Sequence, residues 1–226
     1  MKGKGVILLL LIGVAGYVGY RLLPPQYNPL VPFTLDDPPG KITQFKLHRL
    51  TEERCPLLLT QASDRGWVNF RQLADTAGPC PLHKAVRIMN FGEIKLSSSF
   101  LASCSLALSS TLFAREANKI ALDQVGSKIS QIDHLGSFAC RNIYHRQNAR
   151  LSEHATADAL DISGFRLQNG RKITVLQGWQ QAENQAWLRA TLAAGCHYYG
   201  NGLGPEYNAA HANHFHLGMR GYGLCR

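Results

Sequence analysis

Four of the nine histidines in this 226-residue chain fall in two short stretches whose spacing can do chemistry. In SEHATADALDISGF, His154 precedes Asp161 by seven residues; in HANHFHLGM, His211, His214 and His216 follow in close order. Strand alternation places Ala159, Asp161 and Ser163 on one face and Leu160 and Ile162 on the other, so the carboxylate points away from the core-facing Leu and Ile. His214 and His216 are two apart on a predicted strand, and both imidazoles share its side. An imidazole, a carboxylate and a second imidazole suit zinc, and three protein ligands leave a position open for water, whose pKa zinc lowers to about 7. An open position suits catalysis rather than scaffolding. A lone His would read as an ordinary hydrogen-bonded group; the cluster is what points to a metal.

The elements that must carry these residues form a mixed pattern. CPLLLTQA, from Cys55, reads as helical, and VRIMNFGEIKL as two short strands about an Asn90-Phe91-Gly92 turn. The longest helix starts at Ser103 as N-cap and ends at Gly126, with Leu108, Leu112, Phe113, Ala117, Ile120 and Ala121 at helical spacing. SFACR, residues 137–141, reads as a strand. ALDISGFRL and RKITVL flank Asn169-Gly170, a strong hairpin signal. A helix over Gln181 to Ala194 stops at Gly195 as C-cap, and NHFHLGM returns as the last strand. Gly200-x-Gly202-x-Gly204 precedes Pro205 and a strand rather than a helix, so it reads as a loop and not as a dinucleotide fingerprint. Helices interspersed with hairpins predict an α+β fold built on a small antiparallel sheet with flanking helices.

Lys2 and Lys4 precede an apolar run from Val6 to Tyr20, then Arg21, Leu22 and Leu23. This length reads as one N-terminal transmembrane helix (residues 1–23) in preference to a cleaved signal peptide, since no A-x-A site closes it. The basic residues before it place the N-terminus in the cytoplasm and the rest outside, in the periplasm or beyond. Residues 24–40 hold six of the ten prolines and read as an extended stalk, leaving one domain over 41–226. That domain carries 21 basic against 13 acidic residues, which suits an acidic polymer. Nucleic acid is excluded as a partner: the basic residues show no aromatic interleaving, and an exported domain meets little of it. Six cysteines in even number without a C-x-x-C pair read as three disulfides. Fifteen connectivities are open; the shortest loops give Cys55–Cys80, Cys104–Cys140 and Cys196–Cys225.

The string S-x-H-x-x-x-x-A-x-D from Ser152 to Asp161, followed by H-x-H, resembles the zinc D-alanyl-D-alanine peptidases and murein endopeptidases. A closer resemblance, to the bacterial extensin-like C-terminal domain family, covers nearly the whole domain through SCSLA at Cys104, SFACR, SEHATADALDISGF, NGRKITV, the Gly195-Cys196 site, LGPEYNAAHANHFHL and the terminal CR. By position, the resemblance implies His154, Asp161 and His216 as metal ligands, His214 as general base, His211 as accessory and Arg141 as an arginine that polarises or anchors substrate. It implies a peptidase-like core and a zinc hydrolase of peptidoglycan or another cell-wall polymer, anchored in the bacterial inner membrane. The other reading is a non-catalytic wall-binding module with a vestigial metal site. Two residues depart from the family. Asn213 stands where Asp is usual: a base at that position would be lost, whereas with His214 as base Asn213 is only its neighbour. Ala157 replaces a usual Gly, a change that requires a negative φ.

Overall fold

The computed structural model describes residues 2–221 and 223–226. Helix α1 (Lys2–Leu22) is apolar and long enough over Gly5–Leu22 to cross a membrane, and none of that stretch is buried. The proline-rich residues that follow do not form an extended stalk. After a short 3-10 turn at Pro25–Tyr27 the chain lies against the domain, with Phe33 and Leu35 in the hydrophobic core. The pinning is also polar. Lys46 of α2 (Lys41–His48) is buried, pairs with Asp37 at 2.8 Å and donates to the Pro25 carbonyl at 2.9 Å, while Arg65 meets Asp36 through two nitrogens. Proline content favours extended backbone, but apolar side chains placed among the prolines give that backbone a surface to dock on.

The domain continues through α3 (Arg54–Asp64), β1 (Asn69–Gln72), β2 (Val86–Phe91), β3 (Ile94–Ala102), α4 (Cys104–Val125) and β4 (Ile129–Gly136). Then come β5 (Ala159–Leu167), β6 (Lys172–Thr174), α5 (Val175–Gly178), α6 (Ala182–Gly195), β7 (Asn201–Leu203), β8 (Phe215–Gly218) and β9 (Leu224–Cys225). Among the described residues this is an α+β fold of six helices and one nine-stranded sheet, ordered β1-β2-β3-β4-β5-β8-β7-β9, with β6 also paired to β5. The sheet is neither small nor wholly antiparallel. α4 is a crossover that returns the chain parallel to β3 as β4, and β9 runs parallel to β7. β7 is built from the glycine-rich residues expected as a loop, and residues 137–141 are irregular rather than a strand.

α4 begins and ends where its caps require. The Ser103 hydroxyl accepts from the Leu106 amide, and Gly126 takes the left-handed conformation at the other end. Leu106, Leu108, Phe113, Ala117 and Ala121 are all buried, and so are Ser109 and Ser110. A helix buried this completely must satisfy its hydroxyls: Ser109 donates to the Tyr198 carbonyl and Ser110 accepts from Tyr199. The core runs from α4 to Ile88 of β2, Ile132 of β4, Ile162 and Phe165 of β5, and Trp187 of α6. Gly195 is the last residue of α6, not a left-handed cap: the Leu217 side chain lies 2.8 Å from where its Cβ would stand.

Disulfides join Cys55–Cys104, Cys80–Cys140 and Cys196–Cys225, with Cα separations of 6.0, 5.6 and 6.1 Å. The expected third pair is present and the first two are exchanged. Packing decides this: α3 lies across the start of α4, bringing Cys55 to Cys104, and the loops before β2 and after β4 meet at Cys80 and Cys140.

Candidate metal centre

Asp161 on β5 and His216 on β8 are direct cross-strand partners, so carboxylate and imidazole stand side by side on one sheet face. The His216 Nδ1 to Asp161 Oδ1 distance is 2.9 Å. His154 arrives from a 3-10 turn, Glu153–Thr156, capped by the Ser152 hydroxyl. Ala157 ends that turn at φ 53° and sends the chain into β5. The negative φ required of Ala157 is therefore not met; its buried methyl is held in a left-handed position that suits Gly better. His154 Nδ1 donates to the Ser137 carbonyl at 3.1 Å, and its Nε2 faces Asp161 Oδ2 at 3.2 Å. One ligand atom each from His154, Asp161 and His216 lies within 4.8 Å of the other two, a separation a single metal ion can bridge.

His214 completes one wall. Its Nε2 is 3.7 Å from Asp161 Oδ1 and its Nδ1 donates to the Asn213 side-chain oxygen at 2.8 Å. Burial, with the neighbouring His216 and His154 opposing the pull of Asp161, lowers its pKa and keeps it neutral. The His211 ring centre lies 5.2 Å from that of His214, tilted to it, and 5.8 Å from that of His216, edge-on. Burial and those two imidazoles hold His211 down at about 4, and its Nδ1 donates to Asn208. Asn208 in turn donates to the Tyr144 hydroxyl, joining the loops on the two sides of the centre.

The structure adds Glu153, which the spacing did not single out. Its carboxylate is 3.5 Å from His216 Nε2 and accepts from the Arg220 amide at 2.7 Å and from Asn201 Nδ2 at 3.1 Å. It lies over Gly218, whose missing Cβ would stand 2.6 Å from both of its oxygens. Burial pushes the Glu153 carboxyl up, and these donors more than offset it, holding it below the usual range. Asp161 follows the same balance, with His154 and His216 outweighing burial. Without a metal, burial lowers the His216 pKa but the two carboxylates win, raising it to about 9. No local pattern marks Glu153 as a partner of His216, because the contact joins the 3-10 turn before β5 to β8 and the segment after it.

Arg141 is placed less directly. Its carbonyl accepts from the Ser152 amide, and the Ala139 amide donates to the His154 carbonyl, so residues 137–141 brace the His154 turn. Among the described residues the Arg141 side chain makes no hydrogen bond or ion pair.

Residues 53–226 match the family described as Extensin-like protein C-terminus. The chain belongs to this family. The matched region of the extensin-like domain contains all six cysteines and every residue of the His154, Asp161, His216 and His214 cluster. No curated protein matches the chain, and no solved structure does.

Proposed function

We propose that this extensin-like domain is a zinc-dependent hydrolase of cell-wall peptides, related to the D-alanyl-D-alanine peptidases and held outside the bacterial inner membrane by α1. The observation that carries the reading is the cross-strand Asp161–His216 pair with His154 Nε2 turned onto the same carboxylate. The donor set fits zinc. The outward nitrogens of both histidines are already committed, one to the Ser137 carbonyl and one to Glu153, the arrangement that fixes a ligating tautomer. His154, Asp161 and His216 would hold the ion. Zinc in such a set supplies Lewis acidity toward a carbonyl oxygen and toward water.

The remaining steps belong to the protein. His214 is neutral, with Nδ1–H fixed by Asn213, so its Nε2 lone pair faces the same space as the Asp161 carboxylate. It takes a proton from attacking water and returns it to the leaving amine. Asn213 does not act as base; its oxygen orients His214. The excess of basic residues over 41–226 supports an anionic wall polymer as substrate.

The test is incubation of the detergent-solubilised full chain with purified peptidoglycan, with mass spectrometry of released fragments and zinc stoichiometry on the same samples. His154→Ala and His216→Ala lose zinc, while His214→Ala keeps zinc and loses release by about 10²-fold to 10⁴-fold. Wild type that binds zinc and releases nothing refutes the hydrolase in favour of a wall-binding module. Wild type that binds no zinc refutes the centre.

A further inference from the structure

Beside the centre, on the same sheet face, runs a groove of about 270 Å³ in which the apolar Leu176 sits among Asp133, Ser163, Lys172, Thr174, Gln177 and Asn213. A β-bulge creates it. Gly164 pairs with Asp133 and Ile162 with His134, so Ser163 is an extra residue, and the core-facing set changes from Leu160 and Ile162 to Phe165 and Leu167. Asp161, Gly164 and Arg166 are left facing outward, with His216, Thr174 and Lys172 as their respective partners on β8 and β6. The row holding Lys172 therefore lies four to five residues of extended peptide from the metal row, on the order of 13–17 Å at about 3.3 Å per residue, while Asn213, the neighbour of His214, lines the groove end nearest the centre.

The charged acceptor of this groove is occupied and its cation is free. The Asp133 carboxylate takes Gln131 and Arg166, Thr174 Oγ1 caps Gln177, and the Asn213 oxygen takes His214. The Ser163 hydroxyl donates to the Asp133 carbonyl. The Lys172 ammonium, the Asn213 amide NH₂ and both ends of the Gln177 side-chain amide have no protein partner among the described residues.

Resting on the peptide-hydrolase reading, we propose that this groove is a subsite for a carboxylate-bearing residue of the wall peptide, with Lys172 as its charge partner. With the Asp133 carboxylate paired to Arg166, Lys172 is the unpaired charge of the groove and favours an anion, and the groove's size admits one residue rather than a polymer strand.

The experiment measures binding of the full chain in detergent to insoluble peptidoglycan, native or with its carboxyls converted to amides, and fragment release in parallel. Lys172→Glu weakens binding to native material about tenfold relative to Lys119→Glu, which makes the same charge change on α4 away from the groove. Lys172→Arg restores it, and the difference vanishes on amidated material. Equal binding by Lys172→Glu and Lys119→Glu, or wild type that binds neither material, overturns the subsite. A deficit that survives amidation overturns the carboxylate. A Lys172 effect on binding with no release by wild type leaves the subsite standing and removes the hydrolase; release without any Lys172 effect removes the subsite alone.

Discussion

Glu153→Gln is the sharpest perturbation the centre offers. The wild-type carboxylate faces three donors, the Arg220 amide, Asn201 Nδ2 and His216 Nε2. Gln keeps the shape but turns one oxygen into NH₂. Either orientation then sets a donor against a donor: toward Arg220, or toward Asn201 and His216 together. One buried group left in that state costs about 1–3 kcal/mol, so stability falls by about 2 kcal/mol. The imidazole also loses the carboxylate that holds its proton on Nε2 and its lone pair on Nδ1. Loss of such an outer partner lowers metal affinity about 10-fold to 100-fold. Urea denaturation with a chelator present reads the first effect, and zinc competition against a chromophoric chelator, at urea concentrations where the variant is folded, reads the second. Glu153→Asp, which keeps the charge but shortens the reach, is expected to fall between the two. A Gln variant with wild-type zinc affinity would show that Glu153 only braces the segment after β8.

Other expectations follow from the same geometry. Non-reducing peptide mapping yields Cys55 joined to Cys104 and Cys80 to Cys140; fragments joining Cys55 to Cys80 would contradict the packing of α3 on α4. Removing Cys196–Cys225, which closes a separation of 29 residues, costs about 3.6 kcal/mol by loop entropy, read as a shift in the urea midpoint. Asn213→Asp places a carboxylate on His214 Nδ1 and raises the His214 pKa, so the acid limb of the pH–activity profile moves to higher pH; an unmoved limb removes His214 as the base. In metal-free protein the His216 pKa is raised to about 9 from an ordinary 6.5, so its contribution to stability is complete below pH 6.5 and lost as pH rises through about 9. Denaturation of chelator-treated protein across that window shows the loss, and His216→Asn abolishes it.

What could be read in the sequence was what short-range chemistry fixes. Ser103 and Gly126 bound α4 because a hydroxyl cap and a left-handed glycine act within one helical turn. Asp161 and His216 were legible because a strand alternates with a period of two, whereas His214, expected on the same strand, lies in the bend just before β8; Asn169-Gly170 turns β5 into β6 on local conformation alone. Alternation failed at Ser163, where the bulge flips the outward face and opens the groove. The contacts of Glu153 with His216, Cys55 with Cys104, and Phe33 with the core join residues far apart in the chain; each exists because helices and strands dock, which no local pattern encodes. The parallel return of β4 through α4 is of the same kind, since hairpin spacing says nothing about a crossover.

The docked proline segment alters the reach of the protein. α1 ends at Leu22 and the Lys46 ammonium already grips the chain at Pro25, leaving two residues, about 7 Å of slack, between helix and domain. With α1 in a bilayer, the domain is moored, not leashed. A globule of this length measures on the order of 40 Å across, and that diameter sets how far from the bilayer its cleft can reach. Encounter becomes a search over a plane, in which lateral diffusion of the anchor, more than the swing of a linker, delivers the site to its target. Slack inserted between Leu23 and Pro24 would widen the patrolled depth without altering a single residue of the centre.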